Sequence, residues 1–348
     1  MREAALEAAT KRPRQTSRAK QACQAPSLAP PILGRADQPA KRMPMPNCLA
    51  AILESRGALR LAGEDLRTYL QGIVSNDVEK IDPTRSIWTA FLTPQGKFLH
   101  ELFLAEQHGG FLLDGEAARL DDLRKRMTLY RLRSKVTIED AREEVVVAAL
   151  FGPLALESLG LPEEPGVAKP FGGGVVFVDP RLPGLGARAI LPRDEAEATI
   201  AEAGFQSASQ ADYDRLRIWL GVPDGSRDLE VERSILLENG FEELNGVDWQ
   251  KGCFLGQELT ARTKYRALIK KRLLPVDMEG PVPAPGTPVT AGAKEVGMMR
   301  SACEGLGLAL LRLDKALEPS VELKAGETTL RPRLPDWIEL QTPETAES

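Results

Sequence analysis

What most constrains this chain is a pattern that occurs twice: short alternating strands joined by tight turns and followed by a helix. In the first copy Ala58-Leu59-Arg60-Leu61 alternates as a strand, and Gly63-Glu64-Asp65 opens a helix with acids in its first turn. Leu66, Tyr69, Leu70 and Ile73 form that helix's apolar face, and it ends in the polar turn Val74-Ser75-Asn76-Asp77. Ile87 to Leu92 reads as a strand, Thr93-Pro94-Gln95-Gly96 as a turn, and Phe98 to Ala105 as the returning strand. His108-Gly109-Gly110 turns into Phe111-Leu112-Leu113, and Ala117 to Leu129 is helical, with Leu120, Leu123 and Met127 on one face. The second copy has strands at Val136–Ile138 and Val145–Leu150, a short helix at Leu154–Leu159, strands at Val175–Val178 and Arg188–Leu191, and a helix at Ala196–Ala203. Antiparallel meanders with helices set after them predict an α+β fold with two related halves, not a doubly wound parallel sheet. Consistent with that, there is no Walker loop and no GxGxxG after a strand, and Gly172-Gly173-Gly174 reads as a loop.

The remaining segments divide the chain. Residues 1–44 are rich in Ala, Pro, Arg and Lys and cannot bury a core, so they read as a disordered tail or as the product of an upstream start, with Met43 or Met45 the true first residue. The tail is Arg-rich like a transit peptide, but Glu3, Glu7 and Asp37 spoil that pattern. Residues 46–265 hold the two related lobes. Asp212 to Leu220 is an amphipathic helix with Tyr213, Leu216 and Trp219 on its apolar side, followed by an acidic stretch to Asp248 and a basic one from Arg262 to Arg272. The plain reading of that adjacency is that the opposite charges pair. Residues 266–335, punctuated by Pro and Gly, predict a small β-barrel or sandwich, with 336–348 an acidic tail.

Charge and ligand inventory narrow the function. A net charge of −5 and only 5% aromatic residues weigh against an RNA-binding module, despite basic runs at 124–135 and 262–272. The run Tyr130-Arg131-Leu132-Arg133-Ser134-Lys135 is either a solvated helix end or an anion site. No apolar run reaches the length of a membrane span. Cys23, Cys48, Cys253 and Cys303 contain no CxxC pair, and the only histidines are His100 and His108, so a metal here needs ligands from elsewhere. A reducing cytoplasm suits this cysteine usage.

The richest stretch chemically is Lys251-Gly252-Cys253-Phe254-Leu255-Gly256-Gln257-Glu258. Lys251 and a helix beginning near Gln257 would both favour a thiolate at Cys253, and the two glycines allow close approach of a ligand. The alternative is a glycine-bounded turn with a buried thiol.

This octapeptide, followed by Ala261-Arg262, resembles the signature of the YgfZ/IBA57/CAF17 group of folate-binding, iron–sulfur-related proteins, relatives of the glycine-cleavage T-protein. LQGIVSND (70–77), LTPQGK (92–97), LYRLR (129–133) and GLALLR (307–312) occur in the order expected of that group. The resemblance covers residues 46 to 335. It implies a three-lobed, T-protein-like ring whose central channel accepts a folate, closed by the small C-terminal barrel. It also implies a role in assembling or maintaining iron–sulfur proteins, tRNA-modifying enzymes among them. The expected partners are an A-type carrier sharing a cluster through Cys253, and iron–sulfur client enzymes. The expected ligand is tetrahydrofolate, with Asn76, Asp77, Lys97, Arg131, Gln257 and Glu258 as its contacts and Lys251 tuning Cys253. The protein would be a monomer in a bacterial cytoplasm, or in the mitochondrial matrix if the tail is a transit peptide. Folate-dependent aminomethyl transfer is the competing function. Against it, the T-protein's aspartate pair falls on His100 and Glu101 here. Leu236 and Ala267, where many relatives have Pro and Gly, read as tolerated variation.

Overall fold

A computed structural model describes residues 45–266 and 269–339; the tail 1–44 with Cys23, Ala267, and the acidic end from 340 lie outside the described residues. The chain starts in β1 (Leu49–Ile52) and leaves at once for a second sheet: β2 (Arg56–Ala62), α1 (Leu66–Gln71), β3 (Ile87–Leu92), β4 (Phe98–Gln107), β5 (Gly110–Glu116), α2 (Leu120–Arg131) and β6 (Thr137–Asp140). It returns through β7 (Val145–Phe151), α3 (Ala155–Ser158), β8 (Ala168–Phe171), β9 (Gly174–Val178), β10 (Ala187–Pro192), α4 (Ala196–Glu202) and β11 (Gln206–Ser207). The two runs share one order, strand, helix, three strands, helix, strand. The sheets follow suit: β3-β4-β5-β2-β6 in one lobe and β8-β9-β10-β7-β1-β11 in the other, with β1 slipped between the equivalents of β2 and β6.

Strand alternation sets the layers. The inner faces of the two sheets meet in one core, where Trp88, Phe98 and Phe103 face Phe151, Phe177 and Ile190. Phe241, from the connection beyond the second lobe, stacks on Trp88 with ring centroids 4.0 Å apart. The outer faces are covered by helices: Leu66, Tyr69, Leu70, Leu120, Leu123 and Met127 over the first sheet, Ala155, Leu156, Ala196 and Ile200 over the second. Full burial of each large apolar side chain contributes ~1.5–3 kcal/mol, so the shared core is the main force joining the lobes.

α5 (Gln210–Leu220) begins at a capping box, in which the Ser209 hydroxyl accepts from the Asp212 amide and the Asp212 carboxylate accepts from that of Ser209. It ends at Gly221, in the left-handed conformation at φ 79°. α6 (Gly225–Asp228) and α7 (Gln257–Arg266) follow. The third lobe is a closed barrel of β12 (Lys271–Glu279), β13 (Pro288–Ala291), β14 (Lys294–Cys303), β15 (Leu306–Arg312), β16 (Leu323–Ala325) and β17 (Thr328–Pro332). Of the barrel and sandwich that the sequence left open, closure selects the barrel, which leaves no free sheet edge. Ile218 of α5 packs on Leu273, Leu306 and Leu308 of the barrel.

Charges are buried where the lobes meet. Arg56 donates to Asp114 at 2.7 Å and to Glu101 at 2.6 Å, and Arg188 of the second lobe donates to the other Asp114 oxygen at 2.8 Å. The Phe103 ring lies under three guanidiniums, those of Arg188, Arg181 and Arg56, at 3.9, 4.8 and 5.4 Å. Arg217 joins the barrel to this junction by donating to Asp228 at 2.7 Å and to the Ser301 hydroxyl at 2.9 Å.

Candidate functional site around Cys253

The loop bearing Cys253 lies against the segment that follows α1. Asp248 secures its near end: the Asp248 amide donates to the Ser75 carbonyl at 3.1 Å, and its carboxylate accepts from the amides of Gln250 and Lys251 at 2.6 and 3.0 Å. Lys80 adds an ion pair to the same carboxylate. At the far end Phe254 is buried in the shared core, and the Leu255 amide donates to the Gly72 carbonyl at 3.0 Å. Between these anchors Gly252 and Cys253 are exposed. The buried-thiol alternative is thereby set aside.

The helix start is fixed by two glycines. Gly96, in the β3–β4 turn, has φ +77°, and Gly256 has φ +82°. A Cβ on Gly96 would lie 2.6 Å from the Gly256 carbonyl oxygen, and one on Gly256 would lie 2.5 Å from that of Thr93. Backbone therefore meets backbone here, and only glycine combines that approach with that φ. The contact seats α7 on the turn of the first lobe.

Lys251 does not attend the thiol, which corrects the expectation from its place in the chain. Its ammonium donates to the carbonyls of Gln71, Val74 and Asn76 at 2.9, 2.6 and 2.8 Å. An ammonium has three N–H donors, and all three are taken. Burial pushes its pKa down to about 8, partly opposed by the charges of Asp77 and Asp248.

The expected folate contacts are mostly engaged with the protein. Asn76 spends both amide hydrogens, on the carbonyls of Trp88 at 2.8 Å and Asn245 at 2.7 Å, and its oxygen accepts from the Asp77 amide at 2.8 Å. Asp77 accepts from Gln71 at 2.7 Å and from the Glu79 amide at 3.1 Å, capping a short 3-10 turn. Gln257 accepts from the Phe254 amide at 3.3 Å, and Glu258 pairs with Arg262 at 2.6 Å on the surface. Arg131 donates to the Val136 carbonyl at 3.0 Å, so this part of the basic run closes the end of α2. Lys97, half-buried, is the one of the six whose side chain makes no hydrogen bond among the described residues.

Acidic and basic stretches pair across this region, as the plain reading has it: Glu242 with Lys264 and Glu243 with Arg272. The Lys264 ammonium also sits 4.2 Å above the Trp249 ring, and Tyr265 meets Trp249 edge-on at 6.0 Å. Asp248 and the carbonyls of Gln71 and Val74 escaped sequence reasoning. Asp248 is one carboxylate in an acidic run, and carbonyls carry no side-chain signal.

At the T-protein aspartate position, consecutive side chains face opposite ways. Glu101 is buried against Arg56 and accepts from the Trp88 indole at 3.2 Å; burial outweighs the guanidinium and pushes its pKa up to about 7. His100 faces α2, with Nε2 3.2 Å from Asp122; burial, then Arg119, pushes its pKa down to about 3. Among the described residues no three His, Cys, Asp or Glu side chains gather in a metal-binding group, and no helix is long and apolar enough to cross a membrane.

Residues 270–340 match the family model of the CAF17 C-terminal beta-barrel domain. The fold is similar to the glycine cleavage system aminomethyltransferase T of Bartonella henselae, with a TM-score of 0.66 over 85% of this chain and 87% of that one, at 14% identity. The human mitochondrial iron-sulfur cluster assembly factor IBA57 is 34% identical over 307 residues, covering 82% of this chain and 84% of its own. The IBA57 homolog of Mycosarcoma maydis, also named mitochondrial, is 30% identical over 346 residues, covering 81% and 83%. With such identity sustained along most of both chains, the protein belongs to the IBA57 family.

Proposed function

We propose that this protein takes part in the assembly of iron–sulfur proteins by presenting the Cys253 sulfur to a cluster completed by a partner. The observation that carries this reading is an exposed thiol on a loop pinned at both ends, outside any group of three or more His, Cys, Asp or Glu side chains among the described residues. A cluster takes four ligands, so one sulfur supplies a corner and the rest come from outside. The relatives named as assembly factors support the process, and the family resemblance supports an A-type carrier as the partner, with iron–sulfur enzymes, tRNA-modifying ones included, as clients. Tetrahydrofolate fits the same reading as a ligand, with Lys97, rather than the engaged Arg131, as the expected cation for its glutamate tail. Aminomethyl transfer is the weaker reading: Glu101 is committed to Arg56 and Trp88, which leaves no free carboxylate there to hold an amine.

The test is anaerobic reconstitution with an A-type carrier. Wild type should form a cluster-bearing complex with the carrier, seen by visible absorbance in a co-eluting peak, and Cys253→Ser should not. Equal cluster yield from both would overturn the role of the sulfur. Tetrahydrofolate titrated into wild type by calorimetry checks the ligand separately.

A further inference from the structure

We infer that Lys251 is a positioning residue for the exposed thiol: a caged ammonium that locks the Cys253 loop onto the turn after α1. The inference rests on the reading of Cys253 given above and extends it to how the sulfur is held. One ammonium gathers three carbonyls from a six-residue stretch, Gln71, Val74 and Asn76, each within 2.9 Å. The Gln71 carbonyl closes the last turn of α1, where the helix supplies no partner, and those of Val74 and Asn76 lie in the segment beyond it. The same ammonium sits 5.2 Å from the centre of the Phe254 ring, across the thiol from its own backbone. Lys251 thus grips both flanks of the Gly252–Cys253 bridge.

What lies between the flanks is free. A Cβ on Gly252 would meet nothing within 4 Å, and both bridge residues are exposed. The sulfur is therefore flanked by two buried neighbours while its own residue stays exposed. That arrangement suits a ligand arriving on another molecule, because the cost of ordering the loop is met before binding.

The experiment uses the full chain carrying Cys23→Ser, Cys48→Ser and Cys303→Ser, so that Cys253 is the only thiol. Hydrogen exchange is followed in the peptides spanning 70–77 and 248–256, and a nitroxide on Cys253 reports loop mobility. Lys251→Met should speed exchange in both peptides about tenfold or more, as expected for lost bonds to a charged donor, and should sharpen the nitroxide spectrum. The barrel peptides should not change. Lys251→Arg keeps the charge, but its planar fork cannot meet three converging carbonyls, so it should fall between. If Lys251→Met does not fold, Lys251→Arg carries the test, and wild-type exchange in it overturns the inference. Unchanged exchange and an unchanged nitroxide spectrum in Lys251→Met do the same. Failure of the wild-type protein to form a cluster with the carrier would count against the Cys253 reading alone, because exchange judges the clamp without any cluster.

Discussion

Lys251 and Arg56 are cations buried to nearly the same degree, 8% and 7% exposed, yet they are satisfied by opposite means. Arg56 meets carboxylates. Burial works against its charge, and Asp114, Glu101 and Asp224 more than offset that. Lys251 meets neutral carbonyls and forms no ion pair among the described residues. The difference separates assembly from presentation. A network of paired charges fixes how two sheets dock, since each charge is tolerable inside only while its partner stays. A carbonyl cage fixes one loop with the cation's hydrogen bonds going to neutral groups.

The largest effect should come from breaking the paired side of this comparison. Asp114→Ala strips one carboxylate from two guanidiniums, Arg56 and Arg188, whose side chains are buried with it. We expect a loss of about 3–5 kcal/mol in urea unfolding. Lys251→Met leaves carbonyls, not a charge, unpaired, and should cost roughly 1–3 kcal/mol. If Asp114→Ala proves the milder of the two, the contrast between pairing and caging fails.

A subtler test uses pH. Glu101, lifted to about 7 from an ordinary 4.5, holds a proton in the native state that the unfolded chain releases. Its contribution is fully present below pH 4.5 and is lost as pH rises through 7. His100, lowered to about 3 from 6.5, does the reverse: its contribution is present above pH 6.5 and is lost as pH falls toward 3. Between 4.5 and 6.5 the two neighbours pull against each other, so their joint slope in wild type is shallow. Glu101→Gln removes one side. Stability should then climb with pH across that window, by up to ~1.4 kcal/mol per unit. A curve parallel to that of wild type would show that Glu101 is not lifted by burial.

The meanders and their helices were legible in sequence, because alternation and turn residues are local signals. β1 was not: Leu49-Ala50-Ala51-Ile52 has no alternation, and the strand pairs with β7, nearly a hundred residues on. The junction was illegible for a similar reason. Arg56, Asp114 and Arg188 are ordinary surface residue types, 58 and 74 positions apart, and only the fold brings them together. Gly96 and Gly256 were each visible as turn residues, but their contact is a tertiary fact. Lys251 shows the limit most clearly. Proximity in the chain suggested a cation beside a thiol, whereas Lys251 is buried and Cys253, two residues on, is exposed.

The smallest effect should come at the residue with the largest functional claim. Cys253 is exposed, and its neighbour Gly252 has open space around it. Replacing the sulfur with an oxygen therefore creates no cavity and strands no buried partner. Cys253→Ser should shift unfolding by less than about 0.5 kcal/mol, the range of surface substitutions remote from caps and cores. A stable fold joined to a lost cluster would separate presentation from assembly at a single atom. A loss of 2 kcal/mol or more, well above that surface range, would mean the sulfur is part of the packing that holds the loop, and the case for an openly offered ligand would fall with it.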